Sequence, residues 1–187
     1  MKNIKNIVIV IVAIVFLAIA GYYVYDVYKE NDESKTIYSK NNMEQATSYN
    51  NFTIYNKENN KVTLESYKDM PVAILFWKTD SAESVEMLKM LNSKYDEYKD
   101  KIIFLPISMS DGKVESIESV QEFLRVSEIP MEVYYDLDTN AASMYNVKEI
   151  PTFVFIKKDN TVLNKMEGVK SEDAILANLQ ILAGEDK

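Results

Sequence analysis

The chain has 187 residues, 47% of them hydrophobic and 27% charged, and contains neither cysteine nor histidine. Disulfides, thiol nucleophiles, Cys/His zinc sites and a histidine general base are therefore excluded. Asp plus Glu number 29 against 21 Lys plus Arg, a net charge of −8. That balance argues against a nucleic-acid partner, because neutralising phosphates takes a clustered excess of cations.

Ile7 to Tyr25 reads IVIVIVAIVFLAIAGYYVY, nineteen residues without a charge. At the helical rise this run covers roughly 28 Å, about the hydrocarbon thickness of a bilayer. Lys2 and Lys5 precede it, Tyr22, Tyr23, Tyr25 and Tyr28 gather at its far end, and Asp26, Glu30, Asp32 and Glu33 follow. Residues 1–25 are thus expected to be a single-pass anchor with the N-terminus inside and the rest of the chain outside the cytoplasm. The alternative is a cleaved signal: Ala18-Ile19-Ala20 matches an A-x-A site, and a cut before Gly21 would release a secreted module. A lipid anchor is excluded for want of a cysteine. The exported part, lacking Lys2 and Lys5, is two charges more negative than the whole, so an anionic membrane surface would repel it.

Residues 26–50 are polar, without sustained periodicity, and read as a linker. Residues 51–187 read as one globular domain. Phe52–Tyr55 and Val62–Leu64 are short strand candidates around the turn-rich Asn56 to Lys61. Val72 to Trp77 is a continuous apolar run suited to a central strand buried on both faces. A helix is expected from Ala82 to Tyr98 with Leu88, Leu91, Tyr95 and Tyr98 as its inner stripe. Ile102–Ile107 is a strand, Ser116–Val126 a helix, Met131–Tyr135 a strand and Ala141–Tyr145 a short helix. Thr152–Ile156 and Val162–Glu167 form a hairpin around Lys157–Asn160. The last helix starts after Ser171 as N-cap and stops at Gly184, with Ile175, Leu179 and Leu182 inward. Strands alternating with helices predict an α/β sandwich around a mixed sheet.

Isolated motifs give little. Ser110-Asp111-Gly112-Lys113 matches S-x-x-K but lacks the partner motifs of a serine acyl-enzyme. Asp136-Leu137-Asp138-Thr139-Asn140 begins like a calcium loop, yet the sixth position is Ala141 and the twelfth Val147, where glycine and glutamate are required. Neither a metal nor a cofactor is expected. Twenty lysines against the single Arg125 fit an AT-rich bacterial genome, which makes the expected membrane a bacterial cell membrane.

Four stretches in order carry a resemblance: Asn51-Phe52 with the following hairpin; Met70-Pro71-Val72 through Phe76-Trp77-Lys78-Thr79; Asp136-Leu137-Asp138 followed by Tyr145-Asn146-Val147; and Ile150-Pro151-Thr152-Phe153-Val154-Phe155-Ile156 with a polar turn and Gly168. Together they resemble the thioredoxin fold, and more narrowly the membrane-anchored, extracytoplasmic thiol-disulfide oxidoreductases of the TlpA/ResA type. The resemblance implies a three-layer sandwich, with Pro151 as the family's cis-proline opposite an active-site turn.

Where that family has Cys-x-x-Cys, this chain has Ser81-Ala82-Glu83-Ser84. Exchange requires a thiolate that attacks a disulfide sulfur, which a serine hydroxyl cannot do. The rest of the turn has drifted as well: Asp80 stands where the family has tryptophan, Glu83 where proline is common, and Met87 where an acid is usual. This speaks for a natural pseudo-enzyme and against a laboratory Cys→Ser trap. On their own, Ser81 and Ser84 read as helix N-cap residues. The resemblance implies no catalytic residue and a binding site at Trp77, Asp80, Ser81, Ser84, Ile150 and Pro151. There an extended peptide or protein segment would pair with the Ile150 main chain. Asp80, Glu83 and Glu86 would bias that groove towards basic or neutral partners. Two functions stay open, a non-catalytic binding or scaffold protein and a TlpA/ResA-type oxidoreductase.

Overall fold

The structure is a computed structural model that describes residues 51–109 and 115–185, all within a compact unit spanning Ala46–Lys187. The expected anchor over residues 7–25, the linker over 26–50 and the S-x-x-K match lie outside the described residues. Among the described residues no helix is long and apolar enough to cross a membrane.

Seven strands form one mixed sheet: β1 (Thr53–Tyr55), β2 (Lys61–Thr63), β3 (Val72–Trp77), β4 (Ile103–Ser108), β5 (Tyr134–Tyr135), β6 (Thr152–Ile156) and β7 (Val162–Glu167). Among the described residues four α-helices accompany them: α1 (Ala82–Tyr98), α2 (Ile117–Val126), α3 (Asn140–Met144) and α4 (Glu172–Leu182). The strand order is β2-β1-β5-β4-β3-β6-β7. Strands β3, β4 and β5 run parallel, while β6 is antiparallel to β3.

Strand β3 is central and every residue of it is buried, as its unbroken apolar run predicts. Side-chain alternation divides its load between two layers. Ala73, Leu75 and Trp77 face a core shared with Leu88 and Leu91 of α1, Val120 of α2 and Leu179 of α4. Val72, Ile74 and Phe76 face the opposite core, with Ala141 and Ala142 of α3. The three-layer sandwich implied by the resemblance is therefore present.

Local sequence explains most boundaries. Ser116 and Ser171 cap α2 and α4 by accepting from the Ser119 and Ala174 amides. Helix α4 ends in a left-handed glycine, Gly184 at φ 73°, with the Glu185 amide reaching back to the Gln180 carbonyl at 2.9 Å. Asp136 is buried, and its two carboxylate oxygens accept from the Ala141 and Ala142 amides at 3.1 and 2.7 Å. The acid that opens the calcium-like run thus serves the start of α3.

Three expectations need correction. Tyr95 is 37% exposed; its ring meets Phe104 edge-on at the margin of the core, and Met87 fills the interior instead. Leu64, expected to end β2, opens a 3-10 turn (Leu64–Tyr67), whose Glu65 amide donates to the Asn51 side chain. The strand expected over Met131–Tyr135 is paired only at Tyr134 and Tyr135. Its neighbour β1 stops because the Asn56 side chain accepts from the Glu58 and Asn60 amides and turns the chain away.

Candidate functional site

The C-terminal end of β3 and the N-terminal end of β6 lie side by side, since Phe76 pairs with Thr152. One step outward, the chain after Trp77 enters the Lys78–Ser81 turn, and the chain before Thr152 is Ile150-Pro151. Register therefore sets the start of the Lys78–Ser81 turn beside the Ile150-Pro151 segment. The Ile150–Pro151 peptide bond is cis.

Ser81 is the N-cap of α1. Its hydroxyl accepts from the Ser84 amide at 3.1 Å, and its carbonyl accepts from the Val85 amide at 3.0 Å. Ser84 is no cap: it sits inside the first turn, fully buried, with its hydroxyl oxygen unpartnered among the described residues. The two serines therefore have unequal roles, one at the solvent-facing lip and one below it.

Trp77 also lies below. It is fully buried, its ring is 6.3 Å from that of Phe123, and its indole nitrogen has no partner among the described residues. It supports the turn from the core and offers no surface to a ligand. Asp80 is exposed, Ile150 half-buried and Pro151 buried. Of the residues expected to bind, Asp80, Ser81 and Ile150 thus present accessible atoms.

The Ile150 amide and carbonyl have no hydrogen-bond partner among the described residues, whereas the neighbouring main chain is occupied. The Pro151 carbonyl accepts from the Gly168 amide at 2.8 Å, and the Glu149 carbonyl accepts from the Thr152 hydroxyl at 2.7 Å. A half-buried residue with a free main-chain donor and acceptor can accept an added strand.

Sequence reasoning named Gly168 only as part of the resemblance, and it missed Val169 and Glu115. Gly168, at φ 74°, holds its loop against Pro151, and the residue after it, Val169, is 49% exposed. The signal available in the sequence was the glycine that closes the strand candidate Val162–Glu167. Glu115, almost fully buried, accepts from the Thr79 amide at 2.8 Å and so ties the active-site-like turn to the start of α2; nothing in its local sequence marks that role.

The turn is acidic, with Glu83 in the first turn of α1 and Asp80 and Glu86 beside it, placed where a helix dipole favours negative charge. Behind Gly168, Glu167 pairs with Thr152. Hydrogen bonding from Lys165, followed by the charges of Lys165, Lys148 and Lys170, holds its carboxyl below the ordinary range. Among the described residues no group of three or more Asp and Glu side chains is arranged to hold a metal ion.

Comparison with known proteins gives a consistent picture. The sequence model of the AhpC/TSA family matches residues 46–165. A thiol-disulfide oxidoreductase ResA from Bacillus cereus is 26% identical over 130 residues, covering 70% of this chain and 73% of that protein. A ResA from Bacillus thuringiensis subsp. konkukian is 23% identical over 175 residues, covering 94% of this chain and 95% of its own length. Among solved structures, the pneumococcal exposed lipoprotein thioredoxin from Streptococcus pneumoniae superposes with a TM-score of 0.62 at 22% identity, covering 71% of this chain and 99% of that one.

Proposed function

The chain belongs to the AhpC/TSA family, and from that premise we propose that it is a membrane-tethered, extracytoplasmic thioredoxin-like protein that binds an extended polypeptide beside Pro151 and exchanges no disulfides. The observation that carries this reading is the pairing of a free Ile150 main chain with a turn whose two sulfur positions are hydroxyls, Ser81 and Ser84. The groove supplies hydrogen bonds to an extended backbone and an apolar contact at Val169. It supplies no atom able to form a mixed disulfide, because the chain has no cysteine.

The uncharged run of Ile7 to Tyr25, with lysines before it and acids after it, supports the tether and the outward orientation. The matched ResA of Bacillus thuringiensis aligns over nearly the full length of both chains. The pneumococcal structure, described as an exposed lipoprotein thioredoxin, supports an extracytoplasmic setting. A second reading, thiol-disulfide exchange, is favoured by the relatives named thiol-disulfide oxidoreductase; it would need a partner that supplies both sulfurs.

Photo-cross-linking tests the binding reading. Benzoylphenylalanine is placed in the full chain at Val169, at the groove, or at the similarly exposed Ile181 on α4. Ultraviolet irradiation of intact bacteria making either protein should yield discrete protein adducts from position 169 and none from 181. Equal adducts from both, or none from 169, would overturn the reading.

A further inference from the structure

A second surface, at the other end of the sheet, has unmet hydrogen-bonding capacity. Strands β3, β4 and β5 run parallel, so the segment leading into β5 lies at their N-terminal ends, whereas Ile150 lies beside the C-terminal end of β3. Between this segment and the β1–β2 turn is a cleft of about 450 Å³, whose lining includes Lys57, Arg125, Ile129, Met131, Glu132 and Val133. That volume falls within the roughly 300–1,000 Å³ typical of ligand sites.

The cleft exists because a strand pairing stops early. Tyr55 pairs with Tyr135, and an unbroken antiparallel ladder would next set Lys57 opposite Val133. Instead the chain turns at Asn56. No hydrogen bond among the described residues engages the main chain of Met131, Glu132 or Val133.

The direction of those free groups follows from alternation along the strand. The Asp136 amide donates to the Ser108 carbonyl, towards β4. Tyr135 and Val133 therefore turn their amides and carbonyls the other way, into the gap that β1 leaves, and Met131, at the bend before them, has no main-chain partner among the described residues. Burial follows the same alternation. Met131 and Val133 send their side chains into the core below α2, while the Glu132 carboxylate accepts from the Tyr134 hydroxyl at 3.3 Å, on the opposite layer.

With the Glu132 carboxylate drawn to the far side, the charged side chains left on the cleft are Lys57 and Arg125. Both are well exposed, at 57% and 72%. Arg125 spends its Nε and Nη2 groups on Glu122 and keeps further donors. Lys57 is 3.8 Å from Glu58, a loose exposed contact of small energy.

We propose that this cleft is a second polypeptide-docking site: an extended segment of a partner protein adds as a short strand to Met131 and Val133, with an acidic side chain set between Lys57 and Arg125. The main-chain donors and acceptors specify an extended backbone, and the two cations specify the charge. The proposal does not depend on the Pro151 groove.

The test uses the full chain in detergent and three fluorescein-labelled, capped pentapeptides of alternating threonine and valine, with glutamate, glutamine or lysine at the centre. The glutamate peptide should bind saturably and more tightly than the lysine peptide, by about fivefold or more. Lys57→Glu with Arg125→Glu, both on exposed side chains, should abolish or reverse that order. Amide exchange at Met131 and Val133 should slow when the glutamate peptide is bound and stay unchanged with the lysine peptide at the same concentration. Absence of saturable binding, a charge order that survives both substitutions, or binding that leaves the Met131 and Val133 amides unprotected would each overturn the proposal.

Discussion

The Ser81 hydroxyl accepts from the Ser84 amide at 3.1 Å, so the residue that the resemblance sets against the first cysteine of a Cys-x-x-Cys turn acts here as a helix cap. This bond takes up one of the orphan donors of the first turn of α1, and Glu83 in that turn adds favourable charge. Replacing Ser81 by alanine should destabilise the domain by about 1 kcal/mol, read as a lower urea midpoint at unchanged slope. Ser81→Asp, which keeps an acceptor, should retain most of the stability.

The same geometry bears on disulfide chemistry. If only the sulfurs separate this scaffold from an exchanging one, Ser81→Cys with Ser84→Cys should form an intramolecular disulfide under air, read as a mass loss of two hydrogens. The acidic Asp80 and Glu83 that flank the turn disfavour a thiolate and oppose the stabilisation that the N-terminus of α1 gives one. The dithiol should therefore react with iodoacetamide more slowly at neutral pH than a cysteine at a cationic site. Failure to oxidise would mean that the turn no longer holds the two positions in bonding geometry.

Most of the fold was legible in the sequence, for identifiable reasons. The unbroken run of β3, the serine caps at Ser81, Ser116 and Ser171 and the left-handed Gly184 are local signals that the tertiary structure respects. The short β5 was not legible. Met131 to Tyr135 has strand character throughout, but pairing depends on a neighbour that the Asn56 side chain turns away. At the site, cap geometry distinguished Ser81 from Ser84 only after folding, and Trp77 was mistaken for a groove residue because a motif position does not reveal burial. The Thr79–Glu115 bond joins residues 36 apart in the chain, and no local pattern announces it.

Asp136 offers a test of the link between the sheet and α3. Its buried carboxylate serves two amides, and asparagine keeps only one acceptor oxygen. Asp136→Asn should cost about 1–3 kcal/mol, measured by chemical denaturation, and Asp136→Ala more. A change within 0.5 kcal/mol, the range of ordinary surface substitutions, would remove Asp136 from any structural role.

Buried tyrosines set the alkaline limit, Tyr134 and Tyr145 foremost, with Tyr98 and Tyr135 raised in the same direction. Burial, followed by the hydrogen bond with Tyr67, pushes the Tyr134 hydroxyl well above its ordinary value of 10.0. Burial alone raises Tyr145 in the same direction. Because both folded values exceed the unfolded value, stability is intact below about pH 10 and falls above it, as the unfolded state releases protons that the folded state keeps. The urea midpoint should be flat from pH 8 to 9.5 and drop by pH 11. Tyr145→Phe should shallow that drop, and an unchanged drop would contradict the assignment.

The central claim, touch without exchange, is tested most directly by insulin reduction. The full chain in detergent is added to insulin and dithiothreitol, and precipitation of the freed insulin chain is followed as turbidity. The account predicts the same onset and slope as dithiothreitol alone at every protein concentration. Acceleration that scales with the amount of wild-type chain would contradict it.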